Sequence, residues 1–271
     1  MPKVRVVTPT DPQTDTIKAF KTELMAKVKN SANLDYRVYS AADDNGNLDA
    51  VVQYAVDDKP DAILACGTMA AAKLQDKPLK IVMVGGGPPP NLQPTVTGFT
   101  IDTVNGVAVA QHHLDQLTAA PNVQKITVLY DDTNDPSRVI FHALDDSQGK
   151  IEALPISDPG AFRAKNIATE GFMLIPNAMY YSHRKHIIGM LDNSNSVKAI
   201  YFPEREYKDK SSTQTKAKAS VFGHDLPATF KDAADIVASI LNDSKFQLPQ
   251  LREGQRPYSD EPHGQGSQRS K

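Results

Sequence analysis

Short apolar runs alternate with amphipathic segments along most of this chain. The runs are KVRVVTP, DYRVYS, AILACG, KIVMVG, KITVLYD, KIEALPI, GFMLIPN and VKAIYFP. They are rich in Val and Ile and bounded by Gly, Pro, Asp or Asn, which predicts strands. Most lack strict polar alternation, as strands covered on both faces do. Between the runs, Leu48, Val51, Val52, Ala55 and Val56 recur at the spacing of one helical face. Ala233, Ile236, Val237, Ile240 and Leu241 repeat that spacing, and Ile17, Phe20, Leu24 and Val28 form a narrower stripe. Strands alternating with helices predict βαβ units and a mostly parallel sheet, an α/β fold.

The series is interrupted once. After IVMVGGGPPPNLQP comes TVTGFTID, then a helical stretch over 103–118, then the strand KITVLYD. This pattern predicts a second α/β lobe starting near Ile101, with four or five strands in each lobe. Two segments read unlike core. Residues 207–220, YKDKSSTQTKAKAS, are polar and lysine-rich and predict a mobile loop. Residues 252–271 contain no Val, Ile, Leu, Met or Phe, which predicts a disordered polar tail.

Composition narrows the function classes. The 271 residues carry a net charge of -2, so no strong field draws nucleic acid or an anionic membrane. A single cysteine, Cys66, excludes an internal disulfide. No apolar stretch approaches the roughly 18 residues of a membrane-spanning helix. The opening MPKVRVVTPT has no charged segment leading into an apolar one, so it does not read as a signal peptide. A native start at Met1 would therefore place the chain in the cytoplasm, whereas a trimmed exported protein would look the same.

Candidate chemistry gathers at the carboxyl ends of the expected strands, where parallel sheets bind ligands. The first half offers Thr8, Thr10, Asp11, Cys66, Gly67, Thr68, Met69 and Gly85 to Gly87. The second offers Tyr130, Asp131, Asp132, Asn177, Tyr180, Glu204 and Glu206. Thr68 is expected to cap a helix from Met69, whose N–H groups would suit a ligand carboxylate. Asp131 or Glu204 would meet a ligand cation. Each residue alone is also an ordinary turn former or helix cap. The GGGPPP stretch matches no phosphate-binding loop, and its prolines have no N–H to donate.

KPDAILACGTMAAAKL, KIVMVGGGPP with TVTGF, and VKAIYFPEREY followed by VFGHDLPATFKDAADIVASILND resemble the ABC-transporter substrate-binding family that includes tryptophan- and tyrosine-binding proteins. The resemblance runs over 3–251. It implies the type I periplasmic-binding-protein fold: two Rossmann-like lobes, crossover strands, and a cleft that closes on a small ligand. Carried onto this chain, lobe 1 is 1–98 with 226–251, lobe 2 is 103–219, and crossovers fall at 99–102, 220–225 and near Leu248. The implied ligand residues are Thr10, Asp11, Gly67, Thr68, Gly86, Phe99, Asp131, Asn177, Glu204 and Asp225. The implied ligand is a small polar molecule, with an aromatic amino acid among the candidates. Tyr130, Tyr180 and Phe99 are candidates to stack on its ring. The implied partner is an ABC permease, with no cofactor, no nucleic acid and no direct membrane insertion. Three departures stand out: no signal peptide, SSTQTKAKAS in place of a Gly-Gly segment, and a polar tail where the family continues into a strand and helix.

Rival chemistries are thinner. LACGTMAA resembles the cysteine site of amino-acid racemases, but two-base racemisation needs a second cysteine. His183 and His186 lie three apart without a third ligand at recognisable spacing, and His112 and His113 are adjacent. An intracellular ligand sensor of the same fold is the remaining alternative to a transport receptor. The expectation is a non-catalytic, two-lobed receptor.

Overall fold

The computed structural model describes residues 1–9, 15–41, 47–86, 89, 91–100, 103–163, 165, 167–177, 180, 183–204, 218–243, 245–253 and 257–259. The chain divides into two compact units. The first comprises Met1–Gly106, Asn177–His183 and Asp225–Arg256, and the second Val107–Pro176, Arg184–His224 and Pro257–Lys271.

The first unit is built on β1 (Lys3–Thr8), β2 (Asp35–Ser40), β3 (Ala62–Cys66), β4 (Ile81–Val84), β5 (Val96–Thr100) and, far along the chain, β11 (Arg252–Glu253). Their order is β2-β1-β3-β4-β5-β11, and every pairing is parallel. Helices cover both faces, which is why the runs lack alternation. On one face, Val4, Val6, Leu64, Val82 and Val84 meet Phe20 and Leu24 of α1 (Asp15–Lys27) and Ala234 and Val237 of the last helix, Leu226–Asn242. On the other, Val7, Ile63, Ala65, Ile81 and Met83 meet α2 (Leu48–Asp57) and α3 (Thr68–Leu74).

Arg5 is the polar exception inside β1 and is fully buried. Its guanidinium reaches Asp35 and Asp58 at 2.7 Å each and also donates to the carbonyls of Val4 and Asp35. Burial works against its charge, but the hydrogen bonds to the two carboxylates outweigh that and raise its pKa.

The second unit repeats the plan with β6 (Ile126–Tyr130), β7 (Ile151–Pro155), β8 (Gly171–Leu174), β9 (Ala199–Glu204), β10 (Lys218–His224) and β12 (Pro257–Ser259). Their order is β7-β6-β8-β9-β10-β12. Only β12 runs antiparallel. The helices here are α4 (Thr103–Ala119), α5 (Asp135–His142) and α6 (Arg184–Asp192), and the last helix becomes α7. Ala110, Leu114 and Leu117 of α4 pack on Ile126, Val128, Tyr130 and Met173.

The polar end of the chain corrects the sequence reading. Residues 252–271 were expected to be disordered, yet Arg252–Glu253 and Pro257–Ser259 are strands. An edge strand needs backbone pairing rather than apolar side chains, so composition missed it. The run-up is anchored as well: Phe246 and Leu248 pack on one face of the first sheet and Leu251 on the other. Of the expected loop 207–220, the last three residues open β10, and the rest lies outside the described residues. Phe99–Asp102 and Ser220–Asp225 were expected as crossovers. Phe99 and Ser220 lie in β5 and β10, and the chain changes unit after Gly106 and after His224.

Candidate ligand site at the strand ends

Three successive strand ends of the first sheet bring four of the expected residues together. Gly67 follows β3 and donates its N–H to the Val84 carbonyl at the end of β4. Gly85 follows β4 and donates to the Phe99 carbonyl of β5 at 3.1 Å. Gly86 lies directly against Thr68: a methyl added there would sit 2.5 Å from Thr68 Oγ1 and 2.8 Å from its amide nitrogen. Gly67, Thr68, Gly86 and Phe99 thus form one ledge, and the absence of a side chain at Gly86 lets the two loops touch.

The role expected of Thr68 needs correction. The helix opens at Thr68 itself, and Gly67, at φ 87°, is its N-cap. That backbone conformation suits glycine and turns the chain sharply enough to start the helix one residue early.

Cys66 sits at the same edge, but buried. Burial pushes its thiol up to about 12, against a hydrogen bond with Thr8 that acts the other way. A nucleophilic cysteine requires the opposite shift.

In the second unit Asp131 is buried just past β6, and its Oδ1 accepts from the Thr133 N–H at 3.0 Å and the Thr133 hydroxyl at 2.7 Å. Its own N–H donates to Ser137 Oγ, and Asn134 caps α5 by accepting from the Ser137 N–H. Asp131 therefore organises the turn into α5. Tyr130 does not present an open ring, because it stacks on Phe141 at 4.0 Å between centroids. Tyr180 is fully buried, and Phe99 packs on the first unit's core. Packing accounts for the two tyrosine rings, whereas the Phe99 ring is only half-buried.

Asn177 falls in a segment that groups with the first unit, although β8 just before it belongs to the second. Glu204 is the last residue of β9 and pairs with His224. Asp225 directly follows β10 and caps α7, its Oδ1 accepting from the Ala228 N–H at 3.0 Å. Thr10 and Asp11 lie outside the described residues, as do Gly87 and Glu206.

The histidines are engaged elsewhere. A His186 ring nitrogen is 3.0 Å from the Phe162 carbonyl oxygen, and His113 packs against the Tyr201 ring at 5.3 Å. Among the described residues, no group of three or more His, Cys, Asp or Glu could hold a metal ion. No helix among them is long and apolar enough to cross a membrane. A depression of about 420 Å³ lies at the opposite, amino-terminal edge of the first sheet, lined by Met1, Pro2, Asp61, Lys80, Ile240 and Leu241. It shares no residue with the strand-end ledge.

No family model matches the sequence, and no curated protein matches it. Solved structures do. A conserved domain protein from Vibrio cholerae superposes with a TM-score of 0.75 at 17% identity, covering 95% of this chain and 90% of the other. An ABC domain in complex with L-Trp from Streptococcus pneumonia gives 0.71 at 13% identity, covering 94% and 91%. The ligand-free, open structure of a Clostridium difficile substrate-binding protein with adhesive properties gives 0.60 at 15%, covering 96% and 91%. LacI-type transcriptional regulators share the fold too. The chain has the two-unit α/β fold of type I periplasmic binding proteins, and the neighbours named for a function are binding proteins or regulators.

Proposed function

We propose that this chain is a non-catalytic receptor for a small polar molecule, bound at the carboxyl ends of its parallel strands and delivered to an ABC permease. One observation carries the reading. The same strand order recurs in both units, and the strand ends carry a glycine–threonine ledge in one sheet and acids in the other. The proposed contacts are Thr10, Asp11, Gly67, Thr68, Gly86, Phe99, Asp131, Asn177, Glu204 and Asp225. The ligand class is an amino acid or a similar zwitterion: threonine hydroxyls and loop N–H groups suit a carboxylate, and Asp131, Glu204 and Asp225 suit an ammonium. The L-Trp complex of a fold neighbour makes tryptophan the natural first probe. The buried thiol of Cys66 argues against racemase chemistry.

Calorimetric titration with L-tryptophan, then with other amino acids, purines and sugars, tests this. Saturation at one site per chain is expected for a member of the amino-acid set. Glu204→Ala and Asp225→Ala should each weaken it roughly tenfold, as loss of a charged hydrogen bond does. Asp225→Ala also removes a helix cap worth about 1 kcal/mol, so Asp225→Asn, which keeps a capping oxygen, isolates the charge. Full affinity in both alanine variants would show that the pocket lies elsewhere. The LacI-type neighbours favour a second reading, an intracellular ligand sensor. Fractionation decides between them, because a native product confined to the cytosol excludes the transport role.

A further inference from the structure

We infer that the depression at the amino-terminal edge of the first sheet is an accessory binding site, and that it takes an apolar amino acid as the free zwitterion. An overhang builds it. α7 runs for 17 residues, while β4 beneath it has only four. Ala233, Val237 and Ile240 of α7 pack on the sheet face, and its last turn brings Ile240 and Leu241 to the edge where β3 and β4 begin. Met1 and Pro2, just ahead of β1, complete the apolar lining. Asn242 fixes the end of α7 to the end of α1: its Nδ2 donates to the Lys27 carbonyl at 3.0 Å, and its Oδ1 accepts from the Lys29 N–H at 2.9 Å. That wall is therefore in place before any ligand arrives. At about 420 Å³ the depression falls within the size range of small-molecule sites, and all its lining residues belong to the first unit.

Asp61 and Lys80 supply the charges. They stand just ahead of β3 and β4, whose register sets Ile63 opposite Ile81, so the two positions are near neighbours across the ladder. Opposite in sign and lining one depression, they nevertheless form no ion pair with each other among the described residues. Each is tied to backbone instead. Asp61 Oδ2 accepts from the Lys3 N–H at 2.8 Å, and Lys80 Nζ donates to the Phe246 carbonyl at 3.5 Å. These bonds hold the two groups without neutralising them, and both keep hydrogen-bonding capacity for a ligand. A simple amine would meet Asp61 and the negative end of the α7 dipole but would face Lys80 as a like charge. A simple carboxylate would meet Lys80 but would face Asp61. A molecule carrying both charges satisfies both residues, and its apolar body covers Ile240, Leu241, Met1 and Pro2.

Titration of the full chain with L-leucine, followed by amide NMR, tests the site. The amide signals of Asp61, Lys80 and Leu241 should shift together and saturate with a Kd of about 1 mM, as suits an open site with two charged contacts. A site this weak adds nothing to the one-per-chain stoichiometry of a tighter strand-end site. Isoamylamine, which lacks the carboxylate, and 4-methylpentanoate, which lacks the ammonium, should each bind at least about tenfold more weakly than leucine. Asp61→Asn keeps an oxygen for the Lys3 N–H, and Lys80→Met keeps the apolar stem; each should weaken leucine at least about tenfold. The two analogues are read on the unaltered chain, so the test survives a variant that does not fold. Absent or unsaturated shifts at Leu241 would overturn the site, and either analogue binding as tightly as leucine would overturn the zwitterion assignment. The amides of Gly67, Thr68 and Gly86 report the strand-end ledge separately. Leucine shifts confined to those three would support the receptor reading and overturn this one, whereas saturation at Leu241 with those three unmoved would establish the accessory site on its own.

Discussion

Residues in this protein are more often committed to structure than their positions suggest. Asp131, Asp225 and Tyr130 stand at strand ends, where ligands bind, yet each has a local structural role: a turn, a cap and a ring stack. A capping carboxylate keeps lone pairs to offer a ligand, so the cap on α7 is compatible with binding at Asp225. Cys66 shows the point most sharply. Placed just before a helix N-terminus, it has the sequence context of an activated thiol. Burial raises it to about 12 instead. Iodoacetamide at pH 8 should therefore modify the native chain at least about a hundredfold more slowly than the urea-unfolded chain. Comparable rates would show an exposed, activated cysteine and reopen the racemase alternative.

At the scale of elements, the tightest constraint is the approach of β5 to β4. Gly98 combines a positive φ with so close an approach to the Met83 backbone that an added methyl would overlap it, so a side chain has nowhere to go. Gly98→Ala should cost more than about 3 kcal/mol, the sum of overpacking and backbone strain, read as a lowered urea midpoint. An unchanged midpoint would mean that β4 and β5 are not so closely apposed. The same element shows how far sequence reading reached. TVTGFTID was legible as a break in the series, but its Gly98 was legible only as a glycine. That it faces Met83 depends on register, which pairs residues distant in sequence. The strands Arg252–Glu253 and Pro257–Ser259 escaped altogether, because edge pairing leaves no apolar signature.

The whole molecule depends on carboxylates held by partners in both units. In the first, hydrogen bonding from Arg5 lowers the pKa of Asp35, and hydrogen bonds from Tyr39 and then Arg5 lower that of Asp58. In the second, the backbone N–H groups of Lys125 and Gln124 lower that of Glu170. A carboxylate whose folded value is depressed binds protons more readily when unfolded. Its contribution is full above the ordinary values of 3.8 for Asp and 4.5 for Glu, and is lost as pH falls through the lower folded values. Thermal stability should therefore hold level from neutral pH to about 5 and fall steeply below about 4. Asp58→Asn should flatten the acid limb, and an identical limb in that variant would remove the Arg5 network as its cause.

The sequence by itself determined the α/β class, the strands β1 to β4 and β6 to β9, and the parallel pairing. These follow from local periodicity, because burial on two faces writes itself into consecutive residues. It also marked Gly67, Thr68 and Gly86 as strand-end residues. Tertiary structure alone decided that Gly86 rests on Thr68, that Cys66 is buried, that Arg5 is buried between two acids, and that the chain's polar end supplies an edge strand to each sheet. All four depend on which distant segments become neighbours, and periodicity within a short window carries no record of that.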